Sequence, residues 1–504
     1  MTNFTPQKPS VKLIAHTDHA FDLSIASART CYSPKLIVPA DVTDGQRERI
    51  GEAIYEAGHH TPFQHPTFVF GLTGVSRQLI WSFLHSHPFY NSEQSSQRYV
   101  VLDDANVYVP PIEGEALNIY RDAVLKAWDA YEKISELLKE DNFRMMSSIG
   151  RIKGQNDKQI RTDSEKKAIE NGRYVLPICA TANLYHTISG LVLKRYVRMV
   201  NASDCPTEAR ELVDAMVSAV RAVDPDFVDR IGEDAMEDIL ENSMPGKENY
   251  AQKFDADLDG HISKLISYDQ DAEKIVADSV REAIGARGTD EEILDMILNP
   301  EKNSYLLETL NNWTLSPAMR GLNNISYIFK KKISHSADSQ EQRHRMNPAS
   351  RPMLTRVHTK DPDYHIPVVV EKNEQAATLY RDTMKMLWDA KNRLIEMGVA
   401  SEFACYLLPN AVNVRFTQSG SFLHLLHKWR LRLCFNAQLE IYDASRDEVE
   451  QVASVHPNLA KYIGPPCLNR KHHKFDRLEG PCPEGTRWCG IPVWNGWPGV
   501  KRPF

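Results

Sequence analysis

The sequence predicts an α+β protein built from two tandem, related domains and a short C-terminal tail. Two observations support this: a diverged internal duplication and, within each copy, strand-like runs followed by dominant helical patterns. The segments YRDAVLKAWDA (120–130) and YRDTMKMLWDA (380–390) share six of eleven residues without a gap. Both place apolar residues at the three- and four-residue spacing of an amphipathic helix.

Other matching segments follow in the same order along the chain. Residues 11–32 align with residues 263–284, and each segment is a strand-like run followed by a helical pattern. YVLP (174–177) aligns with YLLP (406–409), and each is expected to lead into a long helix. Because these matches are collinear, one duplication explains them all.

Boundaries follow from these matches and from composition. We expect a first repeat at 1–225, an acidic helical linker at 226–262, a second repeat at 263–460 and a tail at 461–504. Within the first repeat, alternating apolar residues give way to helical spacing after Ser76, which predicts a strand that runs directly into a helix.

Composition excludes several classes of protein. The chain has 504 residues, 42% hydrophobic and 25% charged, with a net charge of −7, so we expect a globular rather than a disordered protein. It has no apolar run of membrane-spanning length and no secretory signal pattern, which favours a soluble, cytoplasmic protein with no membrane partner. Eight cysteines are too few for a disulfide scaffold.

Nucleic acid is not an expected partner. A mildly acidic chain has no global attraction to phosphate backbones. The run Lys330–Lys332 lacks interleaved aromatic residues, and we interpret it as a solvated strand end.

Two groups of motifs carry a resemblance to a known family. The first repeat contains GHHTPFQHPTFVFGLTGVSRQLI (58–80) and SEQSSQRYV (92–100); the second contains RHR (343–345) and LRLCFNAQLEI (431–441). Together they resemble the flavin-dependent thymidylate synthases (ThyX), over about 11–220 and 263–445. The resemblance implies two domains, each a small antiparallel sheet plus long helices.

The two repeats depart from the family pattern in complementary ways. The first has His85-Ser86-His87 in place of RHR, and Val200 in place of a second arginine on its last helix. The second keeps RHR, but RPMLTRV (351–357) retains only Arg356 of the Ser/Arg-Tyr end, and Cys405 replaces an expected arginine. We therefore expect one composite active site shared by the two repeats.

By resemblance, the chain is a methyltransferase that converts dUMP to dTMP with FAD, NAD(P)H and methylene-tetrahydrofolate. In the family each site is assembled from several subunits of a homotetramer, so two tandem chains would form a homodimer with four domains. Guanidinium forks suit the phosphates of FAD and dUMP, and a fixed cation near the uracil would lower the barrier as charge develops there.

The resemblance also assigns roles to individual residues. The flavin-binding set is Thr61, Glu93, Arg343, His344, Arg345 and His427. The substrate-binding set is Ser95, Gln97, Arg98, Arg173, Gln340 and Arg432. Arg343 and Arg432 would be the catalytic pair, because Arg343 also lies near dUMP and Arg432 polarises the uracil ring.

Simpler interpretations remain open for several of these positions. RHR can be a solvated helix face, SEQSSQRYV a polar loop, Arg173 a surface residue and Thr61 an N-cap. His85 and His87 are spaced for metal binding, yet Pro88 follows and no acidic or cysteine partner is near, so an ordinary polar role is favoured. For the whole chain, the alternatives are a flavin-dependent C5-modifying enzyme acting on another pyrimidine nucleotide, or a non-catalytic flavin- or nucleotide-binding protein.

The tail is rich in Pro, Gly, Cys and His. Cys467, His472 (or His473), Cys482 and Cys489 could form a structural zinc site, although their spacing fits no standard zinc ribbon. The alternatives are unliganded thiols packed against Trp488 and Trp494, or a catalytic thiol.

Overall fold

The computed structural model describes residues 8–100, 106–230, 234–243, 250–472, 476 and 478–503. In this part of the chain, each repeat has one four-stranded antiparallel sheet with the same strand order. The first is ordered β1-β2-β4-β3 and the second β5-β6-β8-β7. The strands are β1 Ser10–His16, β2 Thr67–Ser76, β3 Asn91–Gln94, β4 Thr181–Ser189, β5 Ser263–Tyr268, β6 Ser326–Ser334, β7 Ala349–Ser350 and β8 Asn413–Ser421.

Helices make up most of the remaining regular structure. In the first repeat and the linker they are α1 Ala20–Thr30, α2 Asp44–Glu56, α3 Arg77–Leu79, α4 Gly114–Ile152, α5 Asp157–Gly172, α6 Gly190–Met199, α7 Pro206–Arg221, α8 Pro225–Asp229, α9 Leu240–Ser243 and α10 Tyr250–Leu258. In the second repeat and the tail they are α11 Ala272–Ile284, α12 Asp290–Leu298, α13 His335–Glu341, α14 Leu354–Val357, α15 Val368–Glu371, α16 Glu374–Glu396, α17 Ser401–Ala404, α18 Phe422–Arg432, α19 Leu439–Val455, α20 Pro457–Ala460 and α21 Pro466–Asn469. The tandem α+β prediction is confirmed.

The two repeats share a hydrophobic core. The matched helical segments lie in α4 and α16, which pack against each other. Their aromatic residues Tyr120, Trp128, Tyr380 and Trp388 are buried in one cluster with side chains from both sheets. A second cluster joins the sheet of the second repeat to the tail through Trp429 and Trp488. Burial of large apolar side chains is the main term that holds such layers together.

The predicted change from strand to helix at Ser76 is confirmed. Strand β2 ends at Ser76, whose hydroxyl caps α3 by accepting the Leu79 N–H. Ser334 caps α13 in the same way, by accepting the Ala337 N–H. Serine suits both positions, because its oxygen satisfies an amide that the helix leaves without a partner.

Each of these serines also anchors a contact between the repeats. The Ser334 N–H and hydroxyl donate to Glu440 at 2.6 and 2.7 Å, and Glu440 accepts the Tyr174 hydroxyl of the first repeat at 2.7 Å. The same three contacts occur in reverse between Ser76, Glu208 and Tyr406. Such reciprocity is the pattern of a two-fold relationship between domains.

Two local predictions were wrong. YVLP and YLLP do not lead into helices; each is followed by a strand, β4 or β8, which lies between two other strands of its sheet. Lys330–Lys332 is not a solvated strand end. Lys331 is buried between Glu341 and Glu448, while Lys330 and Lys332 pair with Asp257 and Asp255 of α10.

Among the described residues, the helices include none with the length and apolar character that a membrane crossing requires.

Candidate active site

Arg343 and Arg345 project between two cavities at the junction of the repeats. The chain leaves α13 at Glu341, so both arginines follow directly from the capped helix. The first cavity, of about 230 Å³, is lined mainly by the first repeat, including Tyr90 and Glu93. The second, of about 320 Å³, is lined mainly by the second repeat. Both cavities include the two arginine side chains in their walls.

The arginines contact strand β3 and the turn before it, in the other repeat. Arg343 Nη2 lies 3.1 Å from Glu93 Oε1, and Arg345 Nη2 donates to Asn91 Oδ1 at 3.1 Å. The Arg345 guanidinium also lies 5.2 Å from the centre of the Tyr90 ring. Predicted flavin-binding residues from the two repeats are therefore neighbours within one chain.

Arg432 at the end of α18 is held by the RHR segment. Its Nε donates to His344 Nε2 at 2.8 Å, and its Nη2 donates to the Gln340 carbonyl at 2.7 Å. Burial, opposed by the charge of Glu341 and assisted by those of Arg98 and Arg343, lowers the pKa of Arg432 to about 10. Burial, with Arg432 beside it, holds the pKa of His344 well below its usual value, so His344 is neutral and can accept this hydrogen bond.

Arg98 of the first repeat borders the region around Arg432. Its Nε donates to Glu170 Oε2 of α5 at 2.5 Å, and its Nη2 donates to the Asn436 carbonyl of the second repeat at 3.0 Å. Burial raises the pKa of Glu170, but the nearby charges of Lys167 and Arg98 outweigh it and hold the pKa below its usual value. Arg98 is thus fixed by a buried carboxylate.

Gln438 connects the predicted substrate-binding residues. Its Oε1 accepts from Arg173 Nη2 at 3.3 Å and from Gln340 Nε2, and its Nε2 donates to the Tyr174 hydroxyl. Gln438 was missed from the sequence, although it lies inside the matched LRLCFNAQLEI segment.

Gln97 and Ser95 are also held close to this network. Asn410 Nδ2 donates to Gln97 Oε1 at 3.2 Å and to the Arg173 carbonyl at 3.0 Å. Ser95 is held at the end of β3 by Arg77, which donates to its carbonyl at 2.8 Å. Burial and the charge of Arg173 together lower the pKa of Arg77 to about 9. Asn410 and Arg77 were not predicted, although Arg77 lies inside the matched segment 58–80 and Asn410 directly follows YLLP.

His427 lines the second cavity with Trp313, and its ring centre lies 5.9 Å from that of His344. Burial, with Arg430 and Arg432 nearby, lowers the pKa of His427 to about 4. Trp313 also faces the Arg430 guanidinium, 4.7 Å from its ring centre, and was not predicted. Thr61, in contrast, begins the short helix Thr61–Gln64 of the first repeat and lines neither cavity.

The reciprocal location in the fold holds a cavity of about 490 Å³, lined by residues that include Ser86, His87 and Arg195, and buried contacts join the repeats beside it. There Asp338 accepts from Trp81 Nε1 at 2.7 Å and from Arg351 Nε at 2.6 Å. Asp204 accepts the Leu354 N–H at 3.0 Å, and Leu354 itself belongs to the shared core. The arginine pair Arg343 and Arg345 lines the cavities on one side of the fold, and His87 and Arg195 line the cavity on the other.

The predicted zinc site stays a prediction, and its alternative ligand His473 lies outside the described residues. Within the described residues, which include all four predicted ligands, no group of three or more His, Cys, Asp or Glu side chains is placed to hold a metal. His472 Nε2 instead lies 2.7 Å from Glu301. Cys467 and Cys482 lie in the apolar cluster with Trp488, and Cys489 and Trp494 pack against it, as the alternative of packed thiols proposed. All eight cysteines are described, and none is in a disulfide.

A family model described as "Thymidylate synthase complementing protein" (Thy1) matches residues 12–226 and 264–458. The two matched ranges correspond to the two repeats.

Individual relatives named flavin-dependent thymidylate synthase are also similar to this chain. The Clostridium tetani protein is 28% identical over 222 residues, covering 43% of this chain and 84% of that protein. The Saccharolobus solfataricus protein is 31% identical over 221 residues (43% and 81%), and the Sulfolobus acidocaldarius protein is 32% identical over 251 residues (45% and 91%). Each alignment covers nearly a whole relative but less than half of this chain.

Proposed function

The chain belongs to the Thy1 family of thymidylate synthase complementing proteins, and we propose that it is a flavin-dependent thymidylate synthase. It would be a methyltransferase that converts dUMP to dTMP with FAD, methylene-tetrahydrofolate and NAD(P)H. The similar proteins carry that name, and each aligns with about the length of one repeat.

One observation carries the proposal of a composite site. Arg343 and Arg345 of the second repeat lie against Glu93 and Asn91 of the first, at the edge of a cavity that both repeats line. Each repeat has lost the motif that the other retains, so only their combination supplies a full set of anion-binding side chains. Arginine forks at a partly open cavity suit a phosphate-bearing ligand.

The residues present fit a flavin dinucleotide and a nucleotide. Arg343 and Arg345 would hold phosphate groups, with His344, Glu93 and His427 as the remaining flavin-binding residues near these cavities; Thr61, which lines neither, would join the set only from a second chain. Bound FAD would supply the hydride chemistry. The Gln97 Nε2 group is buried with no hydrogen-bond partner among the described residues, which leaves a donor for a ligand.

The protein side chains would place the substrate and stabilise charge. Ser95, Gln97, Arg98, Arg173 and Gln340 would hold dUMP. Arg432 would donate to the pyrimidine carbonyl that gains negative charge, a role in which a fixed cation in a partly buried site is effective. Neutral His344 would keep Arg432 in position, because it accepts the Arg432 Nε–H.

We also propose that two chains associate into a four-domain assembly, as the resemblance implies. The mass in solution, measured by light scattering after size-exclusion chromatography, tests this. A dimer of about twice the 57.4 kDa chain is expected, and a monomer that is fully active would contradict it.

The main test is a titration with FAD, followed by an activity assay. The protein should bind FAD, and Arg343→Ala and Arg345→Ala should weaken binding at least tenfold, as expected when a charge-assisted hydrogen bond is lost. Arg393→Ala is the matched control, because this arginine is exposed on α16 and pairs only loosely with Glu115. NADPH oxidation should increase with dUMP and yield dTMP when the folate is added.

Two results would contradict the proposal in different ways. A protein without FAD affinity would favour the non-catalytic alternative. Flavin binding without any response to dUMP would favour a different pyrimidine nucleotide as substrate.

A further inference from the structure

One wall of the first cavity comes from the repeat whose motif has degenerated. His85 occupies the position that Arg343 holds in the second repeat. Its side chain lines the first cavity together with Arg343 and Arg345, although it is only 5% exposed. A position that looks inactive in the sequence therefore faces the arginines retained by the other repeat.

The ring of His85 is held in a defined orientation. It stacks in parallel on Tyr90, with ring centres 4.5 Å apart and planes inclined by 2°. Its backbone N–H donates to the Ile80 carbonyl at 2.9 Å, which fixes the residue at the end of the helical turn that continues α3. Since Tyr90 also contacts Arg345, the imidazole belongs to the same layer of side chains as the anion-binding group.

The imidazole has an unused polar atom. Among the described residues, His85 Nε2 is buried and has no hydrogen-bond partner. Burial holds the pKa of His85 well below its usual value, and the neighbouring charges of His186 and Arg343 add to this effect. The ring is therefore neutral and offers a hydrogen bond without adding charge to the cavity. Buried polar groups are nearly always paired, so an unpaired nitrogen on a side chain that lines a cavity is a candidate for a ligand contact.

We propose that His85 is a further ligand-binding residue, whose Nε2 forms a hydrogen bond with the flavin nucleotide that Arg343 and Arg345 hold. This inference rests on the proposed flavin-dependent function. The flavin is favoured as the ligand because it combines a pyrophosphate, which needs the two cations, with hydroxyl and carbonyl groups, which suit a neutral imidazole beside Ser92.

The experiment is a fluorescence titration with FAD of purified full-length variants. His85→Phe keeps a flat ring on Tyr90 but removes Nε2, and should raise the Kd for FAD about tenfold, the value of one hydrogen bond of about 1.4 kcal/mol. His85→Gln, whose amide can replace the Nε2 contact, should bind FAD within about threefold of the wild type. The affinity of the FAD-loaded protein for dUMP should not change in either variant.

His335→Phe is the matched control. His335 is also buried, also has no partner for its ring nitrogens among the described residues, and lies in the second repeat away from both cavities. This variant should bind FAD as the wild type does. If His85→Phe does not fold, as judged by thermal unfolding, His85→Gln compared with His85→Leu gives the same contrast.

The outcomes separate this inference from the proposed function. If the wild type binds FAD and His85→Phe binds it equally well, only the His85 inference is overturned. The His85 inference is also overturned if His335→Phe weakens FAD binding to the same extent. It is likewise overturned if the substitution at His85 changes the affinity for dUMP and leaves the affinity for FAD unchanged. A wild type without FAD affinity overturns both.

Discussion

Arg343 and Glu93 are 250 positions apart in the chain, yet Nη2 of the first lies 3.1 Å from Oε1 of the second. The side chains are 41% and 80% exposed, so water screens their attraction and the pair adds little to stability. The pair matters for the arrangement of the two repeats, because it shows that the RHR segment of one repeat and strand β3 of the other form one surface.

Glu170→Gln should destabilise the fold far more than Glu93→Gln does. Glu170 is buried against Arg98 and Lys167, and Glu170→Gln removes the buried carboxylate charge that both cations contact, at a cost of about 3–5 kcal/mol. Glu93→Gln should change the free energy of unfolding by no more than about 1 kcal/mol. Urea denaturation measures both, and equal losses would show that the degree of burial is not what distinguishes the two ion pairs.

Lys331→Met should be strongly destabilising, while Lys330→Met should barely change stability. Lys331 is fully buried and contacts Glu341 and Glu448, which would retain Lys428 as their remaining cationic partner. Breaking such a buried network costs about 3–5 kcal/mol. Lys330 precedes it on the same strand, and its side chain is 24% exposed and pairs with Asp257, so it controls for the loss of a less buried lysine in β6. Chemical denaturation of the two variants side by side is the measurement, and a stable Lys331→Met protein would contradict the prediction.

The stability of the fold should decrease between about pH 4.5 and pH 7 because of Glu208. Burial raises the pKa of this carboxyl to about 7 from its ordinary value of 4.5. In this window the folded state therefore holds a proton that the unfolded state releases, and the free energy of unfolding falls as pH rises. Glu208→Gln should flatten this part of the curve. Parallel curves for the wild type and the variant, from denaturation at a series of pH values, would refute the assignment.

Tyr174→Phe and Tyr406→Phe should cost similar stability but differ in their effect on ligands. Both hydroxyls donate to buried glutamates of the other repeat, and the loss of one such bond costs about 1.5–3 kcal/mol. Only Tyr174 also accepts from Gln438, which contacts Arg173 and Gln340. The KM for dUMP should therefore rise in Tyr174→Phe alone. If both variants show the same KM, Gln438 does not depend on Tyr174 for its position.

Much of the fold could be predicted, because the helices and the start of α3 are encoded in local periodicity. The α4 and α16 segments have strong amphipathic patterns, and Ser76 marks both the end of an alternating run and a helix cap. Strands β4 and β8 were mistaken for helices, since short apolar runs fit either structure and their neighbours in the sheet come from distant parts of the chain.

Site residues could be predicted only where they belong to a recognisable sequence motif. The RHR arginines and the SEQSSQRYV segment were proposed from their motifs, and the structure places Arg343 beside Glu93 and Arg345 beside Asn91, while their shared role in ligand binding stays a prediction. Gln438, Asn410 and Trp313 were missed, because a single polar or aromatic residue acquires its role only through long-range contacts. The pairing of Lys331 with buried carboxylates, and of His472 with Glu301, likewise depends on tertiary packing that residue spacing does not encode.

The reciprocal anchors of Tyr174 on Glu440 and Tyr406 on Glu208 have a consequence for how this chain can change. In an assembly of identical subunits encoded by one short gene, a single substitution appears at every equivalent position at once. Here the two halves are different stretches of one chain, and their mutual contacts hold them together. One half can therefore lose a charged residue that the other retains. Because the two halves are fused, neither half alone needs to retain every residue of the active site.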